Sequence, residues 1–74
     1  MLDFNKKFEY YFTIHLKSKN KIKIVYVSDN QYVDEVFDEM LKDKCYIPIN
    51  IIKRDKIIPG YLNTFDIEYI EVTT

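Results

Sequence analysis

A strict two-residue alternation over residues 8–17 constrains the fold of this chain more than any other feature of its sequence. One side of the alternation is apolar and consists of Phe8, Tyr10, Phe12, Ile14 and Leu16. Such a pattern is typical of a β-strand with one buried face. The alternation resumes after residues 18–20 and continues to residue 27. Residues 8–27 therefore predict a β-hairpin, in which Asn20 is the turn residue best suited to a positive φ.

A helical period replaces the alternation after the hairpin. Ser28 and Gln31 have the spacing of a capping box, which predicts the start of a helix. Apolar residues then recur at helical spacing, as Tyr32, Val33, Val36, Phe37, Met40 and Leu41. We expect the helix to run to about Asp43 or Lys44, with this stripe on the sheet and an acidic side in solvent.

Three more strands are predicted after the helix. The first covers residues 45–52, where Pro48 indicates an edge or an unpaired position because proline has no N–H to donate. A short strand at residues 57–58 is expected to end in a turn at Pro59-Gly60. The last strand, residues 66–73, has apolar side chains on both faces, which predicts either two covered faces or a β-bulge.

The element order β-β-α-β-β-β indicates one α+β domain spanning residues 1–74. We expect a mostly antiparallel sheet of four or five strands with one amphipathic helix packed on it. The helix joins the second and third strands with almost no loop, which predicts that these two strands run parallel. That arrangement would place the turn at residues 53–56 at the same end of the sheet as the helix N-terminus.

Candidate catalytic and metal-binding residues are few. The chain has one His, one Cys and one Gly, which excludes an internal disulfide and leaves too few ligands for a structural zinc site. We expect His15 to be a partly exposed strand residue and Cys45 to be a small buried one. A lone glycine, Gly60, cannot build a phosphate-binding loop. We therefore predict no catalytic site, no metal and no cofactor.

The composition indicates a genome rich in A and T. Lys, Ile, Asn, Tyr and Phe, whose codons are A/T-rich, make up more than half of the chain, whereas Ala is absent. We expect the source to be a low-GC bacterium, or a phage or mobile element of one. The chain has no apolar run of about 18 residues and does not begin like a secretory signal, which predicts a cytoplasmic protein without a membrane segment.

Charge is distributed unevenly along the chain. Residues 1–27 carry six lysines and two acidic residues, whereas residues 28–43 carry six acidic residues and one lysine. The tip of the first hairpin carries Lys17, Lys19, Lys21 and Lys23. These lysines could contact phosphates, which makes weak nucleic-acid binding one hypothesis. Sequence-specific DNA binding is disfavoured, because the acidic helix face would repel the DNA backbone.

The aromatic content leaves the predicted sheet with more apolar surface than one helix can cover. The face opposite the first apolar row would carry Tyr11, Val25, Val27, Tyr46 and Ile52. Tyrosine offers a large contact area at low entropic cost and is enriched at interfaces. We expect this second face to meet a second copy, a protein partner or a flat ligand such as a nucleotide base. The alternative is a sheet curled into a half-barrel, which buries both faces.

We interpret the chain as a non-catalytic binding protein. The leading hypothesis is a homodimeric accessory protein of a phage or mobile element that binds and inhibits a host protein, for example one of a defence system. The alternative is a nucleotide-sequestering protein, in which tyrosine stacks on the base and a cation near the helix N-terminus binds phosphate. The candidate binding residues are Tyr11, Tyr46, Tyr61, Lys53 and Arg54.

Overall fold

A five-stranded antiparallel sheet with one helix on one side is the architecture of residues 7–73, the part of the chain that the computed structural model describes. Its elements are β1 (Phe8–Leu16), β2 (Lys21–Ser28), α1 (Val33–Leu41), β3 (Tyr46–Lys53), β4 (Lys56–Asn63), a 3-10 turn (Thr64–Asp66) and β5 (Ile67–Val72). The strands are ordered β4-β3-β2-β1-β5. The α+β class and the element order are therefore confirmed, and the sheet stays open rather than closing into a barrel.

Strands β2 and β3 are antiparallel neighbours, so the prediction that they run parallel is wrong. They pair at Ile24 with Ile51 and at Val25 with Asn50. A parallel return would require the helix to run back along all of β2, whose eight residues extend about 26 Å. The nine residues of α1 rise only about 13.5 Å. The chain therefore enters β3 at the end where β2 finishes.

The helix begins later than its sequence pattern predicts. Ser28 is still part of β2 and pairs with Phe8, so it is not available as the N-cap. Its hydroxyl instead accepts a hydrogen bond from the backbone N–H of Asn30, at 3.0 Å. Tyr32 is the N-cap, and it makes no side-chain capping bond. The predicted capping box is therefore wrong, because the strand pairing of Ser28 takes precedence over local helix capping.

The first hairpin closes one residue away from the predicted position. The backbone N–H of Leu16 donates to the carbonyl of Asn20, at 2.8 Å. This bond keeps Asn20 in line with β2, and the positive φ of 75° belongs to Lys19. The assignment of the left-handed position to Asn20 is therefore wrong.

The sequence predicts the position of one proline correctly and that of the other wrongly. β4 continues through Pro59-Gly60, so the predicted turn there is wrong. β4 is an edge strand, where a missing N–H need not interrupt a second ladder. Pro48 lies beyond the two β3 positions that pair with β2, so it is unpaired on that side, as predicted.

A bulge resolves the conflicting pattern of the last strand. The pairing between β1 and β5 shifts between His15 and Leu16, so that Ile67 lies opposite Leu16 and Ile70 lies opposite Ile14. Because of the shift, both isoleucines of β5 pack against the core. The β-bulge, one of the two predicted alternatives, is therefore confirmed.

The core lies between the helix and one face of the sheet. Its largest fully buried side chains are Phe12, Ile14, Ile24, Met40, Ile47 and Val36. The centroid of the Phe12 ring lies 5.1 Å from that of Phe37 on α1, within the range of favourable aromatic pairs. The helix thus covers the side of the sheet that the first alternation predicts to be buried.

Glu39 fixes the helix to the end of β2 by three hydrogen bonds. Its carboxylate accepts from the hydroxyl of Tyr26 at 2.7 Å, from the hydroxyl of Ser28 at 3.0 Å and from the side-chain amide of Asn30 at 2.6 Å. The bond from Tyr26 is the main cause that lowers the pKa of Glu39. Burial, followed by the same bond, raises the pKa of Tyr26 to about 12.

Replacing Phe12 tests the core. The Phe12→Ala variant should lose about 3–5 kcal/mol of unfolding free energy, because it removes a fully buried ring and leaves a cavity. Phe65→Ala is the matched control, since that ring is 68% exposed and its loss should have little effect. Urea unfolding measures both changes, and equal destabilisation of the two variants would contradict the assigned core.

Replacing Glu39 tests the helix attachment through its pH dependence. Because its pKa is lowered on folding, Glu39 contributes stability that is present above about pH 4.5 and is lost as the pH falls through the lower folded value. Glu39→Gln should therefore cost about 1 kcal/mol at neutral pH, a small effect because the carboxylate is exposed, and should flatten the acid limb of stability. Urea unfolding from neutral pH to about pH 3 measures this, with Glu35→Gln on the same helix as the control.

Candidate functional site: the open face of the sheet

The face of the sheet opposite α1, called the open face below, is organised around one row of directly paired residues. Tyr11 pairs with Val25, Val25 with Asn50, and Asn50 with Pro59. Residues paired in this way point to the same face of an antiparallel sheet. These four residues, the central row, cross four of the five strands and carry no charge.

Exposed aromatic and apolar side chains surround the central row. The large exposed ones on this face are Tyr11, Val27, Tyr46, Ile57, Tyr61 and Tyr69. Tyr61 is 79% exposed and Tyr46 63%, whereas Val25 is only 7% exposed although it faces away from the helix. The open face therefore combines one buried residue near its centre, Val25, with protruding tyrosine rings.

Neighbouring strands place the predicted second-face residues together. Tyr11, Val25 and Val27 lie on the β1–β2 hairpin, and the alternation along β3 puts Tyr46 and Ile52 on the same face as Asn50. The residues that the sequence assigns to an uncovered face therefore share one.

A groove of about 450 Å³ brings Tyr11 and Arg54 together on the open face. Val25 and Ile52 contribute apolar lining to it. Its charged residues are Glu9, Arg54, Asp55 and Lys56, two acidic and two basic. Their charges offset one another, so the groove offers a phosphate no net positive charge.

The other three predicted site residues lie elsewhere. Tyr61 lines a separate cleft of about 550 Å³ with Val27 and Pro48, where β2 and β3 diverge. The hydroxyl of Tyr46 accepts a hydrogen bond from the side-chain amide of Asn63, at 3.4 Å. Lys53 lies two residues after Ile51 in β3 and therefore on the same face, the one that packs on the core.

The expected proximity of Lys53 and Arg54 to the helix N-terminus is wrong. Because β2 and β3 are antiparallel, the turn after Lys53 lies at the end of the sheet where β2 begins. The helix follows the opposite end of β2. The helix dipole therefore adds nothing to a phosphate site at these two residues.

A hydrogen bond from Tyr11 to Glu9 orients one of the exposed rings. The hydroxyl of Tyr11 donates to the carboxylate of Glu9 at 3.0 Å. That bond, supported by the negative charge of Glu9, raises the pKa of Tyr11. Tyr11 therefore stays a neutral hydrogen-bonding aromatic at ordinary pH.

His15, Tyr69 and Glu71 form a cluster that sequence reasoning missed. The rings of His15 and Tyr69 stack at a centroid distance of 4.1 Å, and Nε2 of His15 lies 3.0 Å from the Glu71 carboxylate. His15 is partly buried, in line with its expected strand position. Only the β1–β5 register brings these residues together, and local patterns do not encode that register.

Several other candidate residues have simple structural positions. Cys45 is exposed in the segment before β3, so its predicted burial is wrong. Lys19 lies 3.8 Å from Glu68, which offsets part of the basic charge at the hairpin tip.

Within residues 7–73, no group of three or more His, Cys, Asp or Glu side chains is placed to hold a metal ion. No helix in this part of the chain has the length and apolar character needed to cross a membrane.

Comparison with known proteins gives no relative: the chain matches no protein-family model, no curated protein and no solved structure.

Proposed function

We propose that this chain is a non-catalytic protein-binding module whose contact surface is the open face. The exposed tyrosines of this face carry the proposal, because each of them lies on a strand of one regular sheet and presents its ring to solvent. Tyrosine loses little conformational entropy on contact and supplies a large area, and it is enriched where binding energy concentrates.

The distribution of charge on the open face supports a protein partner. The central row itself is uncharged, whereas Glu9, Lys23 and Glu71 lie in the rows that flank it and Lys21 lies one row farther out. Protein interfaces have the same arrangement, with few charges at the centre and polar residues at the rim. A nucleic-acid partner would instead favour a continuous basic stripe on the protein surface.

We place this activity in a low-GC bacterium, or in a phage or mobile element of one, on the basis of the A/T-rich codon usage that the composition implies. There the chain acts as an accessory protein that binds and inhibits a host protein, for example a component of a defence system. Self-association through the same face belongs to this proposal, because a homodimer is the form in which such a small domain covers its exposed tyrosines.

Photo-crosslinking from two tyrosine positions tests the open face in cells. A crosslinking amino acid at Tyr61, which is 79% exposed on the open face, should capture one defined polypeptide, either a second copy or another protein. The matched control is Tyr32, which is 61% exposed at the start of the helix and should capture none. Mass spectrometry identifies the products. Equal capture from the two positions, or none from Tyr61, would contradict the proposal.

A nucleotide ligand is the second candidate, because Tyr11 and Arg54 line one groove. If the groove binds a nucleotide, one member of a nucleotide panel should raise the Tm of the protein, and Arg54→Gly should abolish the shift. Arg54 has a φ of 57°, which glycine adopts more easily, so this variant should fold at least as well as the parent. Thermal melts measure the effect. An unchanged Tm with every nucleotide would reject this candidate and leave the protein-binding one.

A further inference from the structure

We propose that a second copy of this chain occupies the open face when no other protein is bound there, held by a two-fold axis that runs along the central row. The inference rests on the proposed function, since both use the open face, and it adds the identity and register of the occupant. Two sheets would pack face to face, with the helices on the outside. Such an interface is isologous, so every contact between two different residues occurs twice.

The sequence of the β1–β2 hairpin is complementary to itself across this axis. An axis perpendicular to the strands reverses their direction, so it exchanges the rows on either side of the central row. One flanking row holds Glu9 paired with Val27, and the other holds Thr13 paired with Lys23. The axis lays Glu9 over Thr13 of the second copy and Val27 over its Lys23, so the Glu9 carboxylate and the Lys23 ammonium of the second copy are diagonal neighbours on adjacent strands. Opposite charges arranged in this way steer association and fix its register.

The β3–β4 hairpin continues the same match with apolar residues. On one side of the central row, Pro48 pairs with Tyr61, and on the other side Ile52 pairs with Ile57. The two-fold axis places Pro48 and Tyr61 of one copy over Ile52 and Ile57 of the other. Tyr61, the most exposed tyrosine of the open face, then covers Ile57, which is 63% exposed. Exposed apolar side chains of one copy thus contact exposed apolar side chains of the other.

Each residue on the axis faces the same residue of the second copy, and the residues of the central row can pack in this way. Tyr11 and Pro59 offer apolar surface to themselves, Val25 is already buried within its own sheet, and the amide of Asn50 can both donate and accept a hydrogen bond. An axis running along β2 instead would place Lys23 against Lys23 of the second copy. The unlike charges and the uncharged centre both favour the axis along the central row.

Exposed tyrosines supply nearly half of the area that a stable dimer requires. The open-face tyrosines that the second copy can cover are exposed by 41% for Tyr11, 63% for Tyr46 and 79% for Tyr61. At about 200 Å² for each ring side chain, they offer on the order of 370 Å². A stable interface buries about 800 Å² on each partner, and Val27, Ile57 and the two prolines add to the tyrosines.

Charge reversal measures the proposed register. Sedimentation of the full chain over a range of concentrations should give a dimer of twice the 9.0 kDa chain mass. Glu9→Lys and Lys23→Glu should each raise the dimer Kd by about tenfold, because each places like charges together at two symmetric positions. The double variant should return the Kd to within about twofold of the parent. Lys53→Glu, with the same charge change on the other face of the sheet, should leave it unchanged.

The outcomes separate this inference from the proposed function. A monomer at every concentration would overturn the dimer, as would single reversals without effect, a double variant weaker than either single one, or equal weakening by Lys53→Glu. A urea unfolding curve for each variant shows whether a loss of dimer reflects loss of folding. A monomer that still crosslinks one other polypeptide through Tyr61 would overturn the dimer alone. The absence of both a dimer and a crosslink would overturn the protein-binding proposal as well.

Discussion

The structure depends on one imbalance: a single nine-residue helix is available to cover a five-stranded sheet with two faces. Five strands span about 19 Å across the sheet, whereas the helix rises about 13.5 Å along its axis. The helix side holds the fully buried residues, such as Phe12 and Val36. The other side keeps its tyrosines, and no second element of residues 7–73 is available to cover them.

The shortness of the helix also determines the direction of the chain and the shape of the open face. Because α1 cannot run back along all of β2, β3 enters beside the end of β2 and is antiparallel to it. The two strands then pair at only two positions, compared with eight between β1 and β2. Their separation creates the cleft in which Tyr61 lies. The hydrogen bonds of Glu39 hold the helix at the end of β2, where the strands separate.

Periodicity predicts what depends on one segment and fails where two segments compete. The alternation along β1 gave the correct buried row and placed Tyr11 on the uncovered side, because each strand residue must point to one face or the other. Ser28 was misassigned because its pairing with Phe8 involves a strand twenty residues away, which no local capping pattern contains. The groove shared by Tyr11 and Arg54, and the stacking of His15 on Tyr69, likewise depend on strand register. Register is a long-range property, so the sequence predicts which face Tyr11 occupies but not which residues of other strands lie beside it.

The two halves of the open face differ in how firmly they are held, and this difference bears on how the face can bind. Tyr11 lies on the long β1–β2 ladder, beside Val25, whose low exposure indicates tight packing. Tyr61 lies on the edge strand of a hairpin that joins the rest of the sheet through two residue pairs. A partner that first contacts the β1–β2 half meets a fixed surface and loses little entropy there. The β3–β4 half has fewer constraints on its angle, so it is the part that can adjust until its apolar residues meet those of the partner.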